Sequence, residues 1–474
     1  MSKRPFSIIP RPKEASCTGA TLIFDAAITT DDEGFGKYAD VFCEYASRVN
    51  GLSLGQNSGG IMLVRDELLS SGEYTIETSE EGIALSASDD DGIVYALATL
   101  HQLITAENGK ISVPACKIKD RPDTFYRALL VDLARQWHPF DTLKNYIDLC
   151  YLYKIKFIHL HFTDTQSYTL PCDSFPLLPT KDRSYTKAQI EELNRYALER
   201  NIEIIPEVDV PGHAQYLTEA YPELFANTVY ESWGDKNIIC VGKPGVMDNL
   251  RLLFDEVAEM FPNSRYIHIG GDEANIATWE CCEHCKAFMK REGINGKYPL
   301  YTRVVKDLTD MILDIGRTPI VWEGFPREGS ETISKKVIVT AWESYYHLAN
   351  ELVEEGFTVT NSSWKPLYIV PPTHHTVVGG RWYPKDILDW NMYTWKHWSK
   401  KTAAYEKPIV LEPADQVIGG TLCAWECNYD QDIIPVKENL AALSERLWNT
   451  SGDVDPDSFA EDLEGLLGLV DKAF

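Results

Sequence analysis

The sequence predicts an α/β protein: a (β/α)8 TIM barrel preceded by a small α+β domain. From residue 128 onward, eight apolar segments of strand length alternate with segments of helix length, which is typical of a closed parallel barrel with insertions. Before residue 120, short strand-like runs alternate with turn residues and a single helical segment. A doubly wound sheet is the alternative, and it is disfavoured because no GxGxxG turn follows an early strand.

The N-terminal domain is predicted over residues 1–120 and the barrel domain over residues 121–474. The boundary is placed at Lys119-Asp-Arg-Pro122, since a proline and the residue before it favour an extended link. Within the first domain we predict four strand-like runs, followed by a helix after the acidic tract at 89–92. These are Thr21–Phe24, Ile61–Val64, Tyr74–Thr78 and Ile83–Ala87, with the helix over Ile93–Ile104.

The barrel strands are assigned to apolar runs that suit burial on both faces. Helices over Asp141–Tyr153 and Lys187–Glu199 separate the first three strands. Because barrel active sites lie at the carboxyl ends of the strands, the polar residues that follow each strand are the candidates for function. The eight predicted strands are Ala128–Ala134, Phe157–Phe162, Ile202–Val208, Tyr266–Ile269, Pro319–Trp322, Val337–Trp342, Thr358–Asn361 and Val417–Ala424.

Composition narrows the class of partner. The chain has 474 residues, a net charge of −26 and 44% hydrophobic residues, so it can bury a large core and is a poor match to nucleic acids or anionic membranes. No apolar run reaches the length of a membrane span, and the N-terminus lacks the apolar core of a signal peptide. We therefore expect a cytoplasmic monomer or homodimer for the sequence as written, although removal of a leader would leave the same sequence.

The eleven cysteines are an odd number, which argues against a complete disulfide framework. One segment, Glu280-Cys-Cys-Glu-His-Cys-Lys286, could supply zinc ligands from Cys281, Cys282, His284 and Cys285. No second CxxC lies nearby, so a reduced, partly buried helix turn is the favoured interpretation and no metal is predicted.

Two adjacent carboxylates follow the fourth predicted strand, in His268-Ile-Gly-Gly-Asp-Glu273. The two glycines allow a sharp turn, after which Asp272 and Glu273 can both face the barrel mouth. Like charges this close, in a partly dry pocket, raise the pKa of one carboxyl group. One ionised and one protonated carboxyl group suit glycoside cleavage, whereas two solvated acids in a loop turn are the alternative.

Other strand ends strengthen the first interpretation. Asp164 follows the second strand, and His213 lies in a Pro/Gly-shaped loop after the third, where it could tune a nearby carboxyl group rather than serve a structural role. Trp322, Trp342 and Trp425 lie at the same ends of three other strands. Three tryptophans at one end of a barrel favour a sugar-stacking pocket over core packing.

Four ordered motifs resemble glycoside hydrolase family 20, the β-N-acetylhexosaminidases. They are Tyr126–Arg135, His159–Asp164, Ile205–Ala214 and His268–Glu273. The resemblance implies a retaining exo-enzyme that removes terminal β-linked GlcNAc or GalNAc from glycans through an oxazolinium intermediate, with no cofactor. In this family the substrate's own acetamido oxygen replaces the enzyme nucleophile.

The resemblance also implies residue roles. Asp272 would orient the acetamido group, and Glu273 would be the general acid and base, tuned by a dyad of His213 and Asp164. The three tryptophans would wall the acetamido pocket and the apolar face of the sugar, and Tyr368 would hold the acetamido carbonyl. Arg127, which the residues alone left unassigned, would bind the 3- and 4-hydroxyls.

Two departures from the family pattern fall on the outer side of the sugar. Val370 stands where an Asp commonly contacts the outer hydroxyls, and Glu426 follows Trp425 directly instead of by two residues. We therefore expect Glu426 to bind substrate with altered tolerance at C4 or C6, whether for GlcNAc, GalNAc or a 6-sulfated sugar. The alternatives are a conventional two-carboxylate glycosidase and a non-catalytic carbohydrate-binding protein.

Overall fold

The computed structural model describes residues 6–55, 59–230 and 236–473. Residues 1–5, on which the expectation about the N-terminus partly rests, lie outside it. The first domain is a seven-stranded mixed sheet in the order β1-β7-β4-β5-β3-β2, with β6 paired to β7. Its strands are β1 (Glu14–Phe24), β2 (Ile28–Thr30), β3 (Ile61–Arg65), β4 (Tyr74–Ser79), β5 (Gly82–Ala87), β6 (Thr105–Glu107) and β7 (Lys110–Asp120).

Two helices cover this sheet, Glu33–Tyr45 and Asp90–Leu103. Each begins at an aspartate whose side chain accepts a backbone N–H of the first turn, Asp32 from Phe35 and Asp89 from Gly92. The first of these helices was not predicted from the sequence. Gly34 and Gly36 lie in its first turn, and glycine lowers the helix propensity of that turn, which weakens the sequence signal.

Eight parallel strands form the closed barrel of the second domain, and the predicted fold class is confirmed. The barrel closes where the strand Val417–Ala424 pairs with Thr358–Asn361 on one side and with Tyr126–Asp132 on the other, so that Val359 lies opposite Val417 and Gly420 opposite Arg127. All residues of the first barrel strand are buried. The strands are β8 (Tyr126–Asp132), β9 (Phe157–His161), β10 (Glu203–Glu207), β11 (Tyr266–His268), β12 (Thr318–Trp322), β13 (Ile338–Ala341), β14 (Thr358–Asn361) and β15 (Val417–Ala424).

Helices and short strands connect the barrel strands. The longer helices form the outer layer and are Phe140–Leu152, Lys187–Glu199, Val246–Met260, Glu283–Glu292, Lys297–Asp314, Tyr429–Trp448 and Pro456–Val470. Shorter helices lie in the loops at Gln215–Ala220, Pro222–Phe225, Ala277–Cys281, Ala349–Glu354, Trp364–Leu367, His375–Val378 and Pro384–Leu388. Two-residue strands pair at Thr163–Asp164 with Ser167–Tyr168 and at Thr394–Trp395 with Ile409–Val410, and Tyr368–Ile369 joins β15. Within the described ranges, no helix combines the length and apolar character needed to cross a bilayer.

The N-terminal domain packs against the barrel through buried polar contacts. Lys154 is fully buried, and its ammonium donates to the Tyr74 hydroxyl at 2.9 Å and lies 3.6 Å from Asp120. The indole of Trp448, on the last barrel helix but one, also donates to Asp120. These contacts lie at the end of the barrel where the strands begin, so the opposite end remains open for a site.

Candidate active site

The open end of the barrel holds a cavity of about 690 Å³. It lies where the strands end, as the barrel architecture requires. Seven of the residues predicted to form the site line this cavity, and two more lie directly behind its wall. The seven are Asp272, Glu273, Trp322, Trp342, Tyr368, Trp425 and Glu426.

A tight turn after β11 presents the two adjacent carboxylates. Gly270 and Gly271 have φ of +68° and +97°, and Glu273 itself has φ of +45°. A Cβ at Gly270 would lie 1.8 Å from Asp209 Oδ1, so only glycine fits there. The backbone N–H of Gly271 donates to Asp209 Oδ1 at 3.0 Å, which fixes the turn.

His213 and Asp164 lie behind the carboxylates as a hydrogen-bonded pair. Nδ1 of His213 is 3.2 Å from Asp164 Oδ1, and its Nε2 is 3.4 Å from Glu273 Oε2 and 4.0 Å from Asp272 Oδ2. His213 and Glu273 both have positive φ, so the two loops are held in uncommon conformations to make this contact.

The electrostatics of this group favour a proton on the imidazole. Burial opposes the charge on His213, but the Asp164 carboxylate overcomes it and holds the histidine pKa well above its usual value. The His213 imidazolium, 3.4 Å from Glu273 Oε2, in turn lowers the pKa of Glu273. In the protein without substrate, the shared proton therefore lies on His213 and Glu273 is ionised.

Asp272 has the opposite shift, and the cause includes a residue that the sequence analysis did not assign. Burial raises the pKa of Asp272, while a hydrogen bond from Asp209 acts to lower it. Burial and the Asp272 charge raise the pKa of Asp209 well above its usual value, so Asp209 is the member of the pair that favours the protonated form. Asp272 Oδ1 is buried and has no hydrogen-bond partner among the described residues.

A buried chain of alternating carboxylates and imidazoles extends from the His213–Asp164 pair into the barrel. His161 contacts Asp164 Oδ2 at 2.9 Å through Nε2 and Glu207 Oε2 at 2.7 Å through Nδ1. His159 Nε2 also lies 2.9 Å from Glu207. The histidines hold the pKa of Glu207 well below its usual value although burial opposes this. Both Glu207 and His161 belong to the motifs quoted above, but their pairing depends on adjacent strands meeting in the barrel.

Aromatic side chains wall the cavity. Trp322 packs at 5.8 Å from Trp425 and 6.4 Å from Trp342, and Tyr368 stacks on Trp342 at 6.3 Å between ring centroids. The Trp322 indole donates to Glu207 Oε1 at 2.6 Å, which fixes the ring. Trp364 and Trp398 also line the cavity. Such a wall suits the apolar face of a sugar and a small acetamido group.

The prediction that Arg127 lies in the sugar pocket is wrong. Arg127 lies near the start of β8, at the opposite end of the barrel, where it is buried and donates to the carbonyl oxygens of Lys154 and Thr124 and to the Tyr95 hydroxyl. The arginine at the mouth is Arg135, which follows the end of the same strand and lines the cavity. Its guanidinium lies 2.8 Å from Asp164 and over the Trp425 ring.

The far wall carries the residues that depart from the family pattern. Glu426 has φ of +59° and lines the cavity, with its carboxylate 3.6 Å from His374 Nδ1. Val370 is buried and lines the same cavity. Glu343, which was not predicted, also lines the cavity, and burial together with nearby Glu323 raises its pKa to about 8. The cavity lining therefore includes two further carboxyl groups, Glu343 and Glu426, beside Asp272 and Glu273.

Solved structures share this architecture. An exo β-N-acetylglucosaminidase from Vibrio harveyi in complex with N-acetylglucosamine superposes with a TM-score of 0.84 at 22% identity, covering 98% of this chain and 77% of that one. A β-N-acetylhexosaminidase from Bacteroides fragilis gives 0.82 at 23% identity, covering 98% and 96%. At these identities the similarity establishes the fold.

Sequence relatives point in the same direction. A β-hexosaminidase from Vibrio furnissii is 31% identical over 329 residues, 64% of this chain and 53% of that protein. One from Akkermansia muciniphila is 32% identical over 270 residues, 52% and 55% of the two chains. The chain thus spans about half the length of these relatives.

Family profiles match nearly the whole chain. Residues 6–121 match the description "Glycosyl hydrolase family 20, domain 2", and residues 125–451 match "Glycosyl hydrolase family 20, catalytic domain". The second match alone covers more than half of the sequence and contains every residue of the cavity described above. The chain belongs to glycosyl hydrolase family 20.

Proposed function

We propose that this protein is a retaining exo-β-N-acetylhexosaminidase that removes terminal β-linked GlcNAc or GalNAc by substrate-assisted catalysis. The observation that carries the proposal is the pairing of Asp272 and Glu273 in one aromatic-walled cavity, with Asp272 Oδ1 buried and unpartnered among the described residues. An acceptor left without a partner in a buried site is matched by a substrate N–H.

Asp272 is the residue that orients the acetamido group. Its free oxygen accepts the acetamido N–H, which turns the carbonyl oxygen toward C1 and stabilises the positive charge as the oxazolinium ring forms. The hydrogen bond from Asp209 favours the ionised form of Asp272 and so opposes the effect of burial. Trp322, Trp342 and Tyr368 exclude water around the acetamido group.

Glu273 supplies the proton to the leaving oxygen. Its side chain is 53% exposed without substrate, so a bound glycan removes water from it and favours the neutral carboxyl group. The proton then passes from His213 Nε2 to Glu273 Oε2, and Asp164 holds the histidine in place. After departure of the leaving group, Glu273 accepts a proton from the attacking water.

Arg135 and Glu426 are the proposed contacts to the outer hydroxyls. Arg135 lies beside Asp164 at the pocket wall, and Glu426 lies beside His374. Because Val370 offers no hydrogen bond on this side, we propose that tolerance at C4 and C6 is altered. Values of kcat/KM on p-nitrophenyl GlcNAc, GalNAc and 6-sulfo-GlcNAc glycosides test this, and strict restriction to unmodified GlcNAc contradicts it.

The activity itself is tested with p-nitrophenyl β-glycosides that carry either a 2-acetamido or a 2-hydroxyl group. We expect turnover of the 2-acetamido substrate alone. A conventional two-carboxylate glycosidase would cleave both, and a non-catalytic binding protein would cleave neither.

Two variants separate the roles of the carboxyl groups. Glu273→Gln should lose most activity on substrates with poor leaving groups and less on activated aryl glycosides, which need little protonation. Asp272→Ala should lose activity regardless of leaving group. Equal losses across leaving groups in Glu273→Gln would contradict its assignment as the general acid.

A further inference from the structure

Three cysteine side chains from two separate segments of the chain meet in the interior. We call Cys240, Cys282 and Cys285 the thiol cluster. All three are buried, and Cys240 Sγ lies 3.5 Å from Cys282 Sγ and 3.6 Å from Cys285 Sγ. The sequence alone groups Cys281, Cys282, His284 and Cys285 as possible ligands. In the structure Cys281 and the exposed His284 lie outside the cluster, and the distant Cys240 takes their place.

The spacing of the sulfurs matches the spacing around a metal ion. Zinc binds thiolate sulfur at about 2.3 Å in tetrahedral geometry, which places two ligand sulfurs about 3.8 Å apart. The sulfurs of a disulfide are bonded at about 2.05 Å, much closer than any pair in this cluster. Three mutually adjacent thiols are therefore arranged for a shared ligand.

Backbone N–H groups point at the sulfurs, as they do in thiolate metal sites. Thr228 N–H donates to Cys282 Sγ at 3.4 Å, and Gly242 N–H donates to Cys240 Sγ. These donors stabilise negative charge on sulfur and orient it. Gly242 also permits a close approach of the two loops, because a Cβ there would lie 2.3 Å from the carbonyl oxygen of His284.

We propose that the thiol cluster binds one Zn²⁺ ion through Cys240, Cys282 and Cys285. Among the described residues, no fourth cysteine, histidine or carboxylate lies close enough to join all three sulfurs, so solvent completes a tetrahedral ion. Each thiol that enters the coordination sphere releases its proton to solvent. The ion takes no part in the glycosidase chemistry.

The position of the cluster gives the ion a structural role. Cys240 lies in the loop that follows β10 and carries His213, and Ile239 N–H donates to the Pro211 carbonyl oxygen in that loop. Cys282 and Cys285 follow the loop after β11 that carries Asp272 and Glu273. The Trp279 indole donates to the Ile239 carbonyl oxygen across the two loops. Zinc would therefore link the loops after β10 and β11, which also contact each other through His213 and Glu273.

Metal analysis of the tag-free full chain tests the proposal. The chain is expressed with added zinc under reducing conditions, dialysed, and analysed by mass spectrometry for metals. We expect about one zinc ion per chain and loss of zinc in Cys282→Ser and Cys285→Ser. Cys281→Ser is the matched control, since Cys281 neighbours the cluster without joining it, and it should retain zinc. Chelation of the wild-type ion should lower Tm.

A second measurement covers the case in which a serine variant does not fold. Wild-type protein exchanged with Co²⁺ should show the charge-transfer and d–d absorption bands of a tetrahedral cobalt thiolate. Wild-type protein without zinc after expression in zinc-replete medium would overturn the proposal. So would unchanged zinc content in Cys282→Ser and Cys285→Ser, or a peptide map that joins Cys240 to either partner by a disulfide.

Discussion

At the scale of single residues, the protonation of Asp272 depends on its neighbour Asp209. The hydrogen bond from Asp209 lowers the pKa of Asp272, which burial raises. Asp209→Ala removes the donor, so the pKa of Asp272 rises and its active, ionised form is lost at a higher pH. We expect the acid limb of the kcat/KM profile to move upward by about one pH unit, since a hydrogen bond to a charged group contributes about 1.5–3 kcal/mol.

Asp209→Asn is the matched control for this shift. Asparagine keeps an N–H donor for Asp272 and an oxygen for the Gly271 N–H. Its acid limb should lie near that of the wild type. Coincident profiles for Asp209→Ala and the wild type would show that Asp209 does not set the charge of Asp272.

Substitutions of Arg135 and Arg127 should separate an effect on substrate binding from an effect on folding stability. Arg135→Met removes a guanidinium from the cavity wall and from Asp164, so we expect kcat/KM to fall about 100-fold, equivalent to about 2.7 kcal/mol. Arg127→Met leaves three buried acceptors unpaired and should lower the free energy of unfolding by about 3 kcal/mol, with kcat/KM unchanged. A fall in kcat/KM for Arg127→Met, with little change in kcat/KM for Arg135→Met and in the urea unfolding of Arg127→Met, would instead support a substrate-binding role for Arg127.

The exchange of these two arginines shows what a motif alone leaves open. Both belong to the segment Tyr126–Arg135, and the resemblance was carried to the one that lies away from the cavity. The barrel architecture distinguishes the two arginines, because Arg127 lies near the start of its strand and Arg135 follows the end, where barrel active sites lie. The roles of Glu207 and Asp209 were less accessible, since their partners come from neighbouring strands far away in sequence.

At the scale of elements, the turn after β11 depends on the absence of a side chain at Gly270. Gly270→Ala places a Cβ 1.8 Å from Asp209 Oδ1, so the turn and Asp209 must move apart. We expect a large loss of kcat together with a loss of stability beyond the roughly 1–2 kcal/mol that left-handed backbone strain costs.

Gly293→Ala isolates the strain from the clash. Gly293 has φ of +69°, almost the same as Gly270, but a Cβ there meets no atom within 4 Å. This variant should lose only the strain energy and keep its kcat. Equal effects of the two substitutions on kcat would refute the importance of the Gly270 contact.

Element positions in the barrel were largely predictable. All eight strands lie within two residues of the predicted ends, and the helix Lys187–Glu199 agrees at both ends, because strands buried on both faces form continuous apolar runs. The thiol cluster was not predictable as a unit. Cys240 lies far in sequence from Cys282, and only the packing of two loops joins them.

At the scale of the whole molecule, buried polar contacts couple the two domains. Asp120 accepts from the Tyr74 hydroxyl at 2.7 Å and the Trp448 indole at 3.0 Å, beside the buried ammonium of Lys154. Asp120→Ala leaves that ammonium without its counter-charge, so we expect the free energy of unfolding to fall by about 3–5 kcal/mol. Thermal and urea unfolding measure it.

Asp25→Ala is the control for this substitution. Asp25 pairs with Lys110 on the surface, where the Asp25 side chain is 77% exposed, and exposed pairs contribute about 0–1 kcal/mol. Similar losses in both variants would contradict a special role for the buried contact. The two-domain architecture was predictable because short strand-like runs give way near residue 120 to an alternation of strands and helices. The interface was not predictable, because its residues look like ordinary strand and helix ends in the sequence.

The central claim is that the substrate's acetamido oxygen is the nucleophile and that Asp272 positions it. The most direct measurement is kcat/KM for p-nitrophenyl glycosides with acetamido, fluoroacetamido, difluoroacetamido and trifluoroacetamido groups at C2. Fluorine withdraws electrons from the carbonyl oxygen, so we predict that kcat/KM falls steeply with each fluorine in the wild type. A kcat/KM that is independent of fluorination would show that the acetamido oxygen does not attack C1 and would contradict the account.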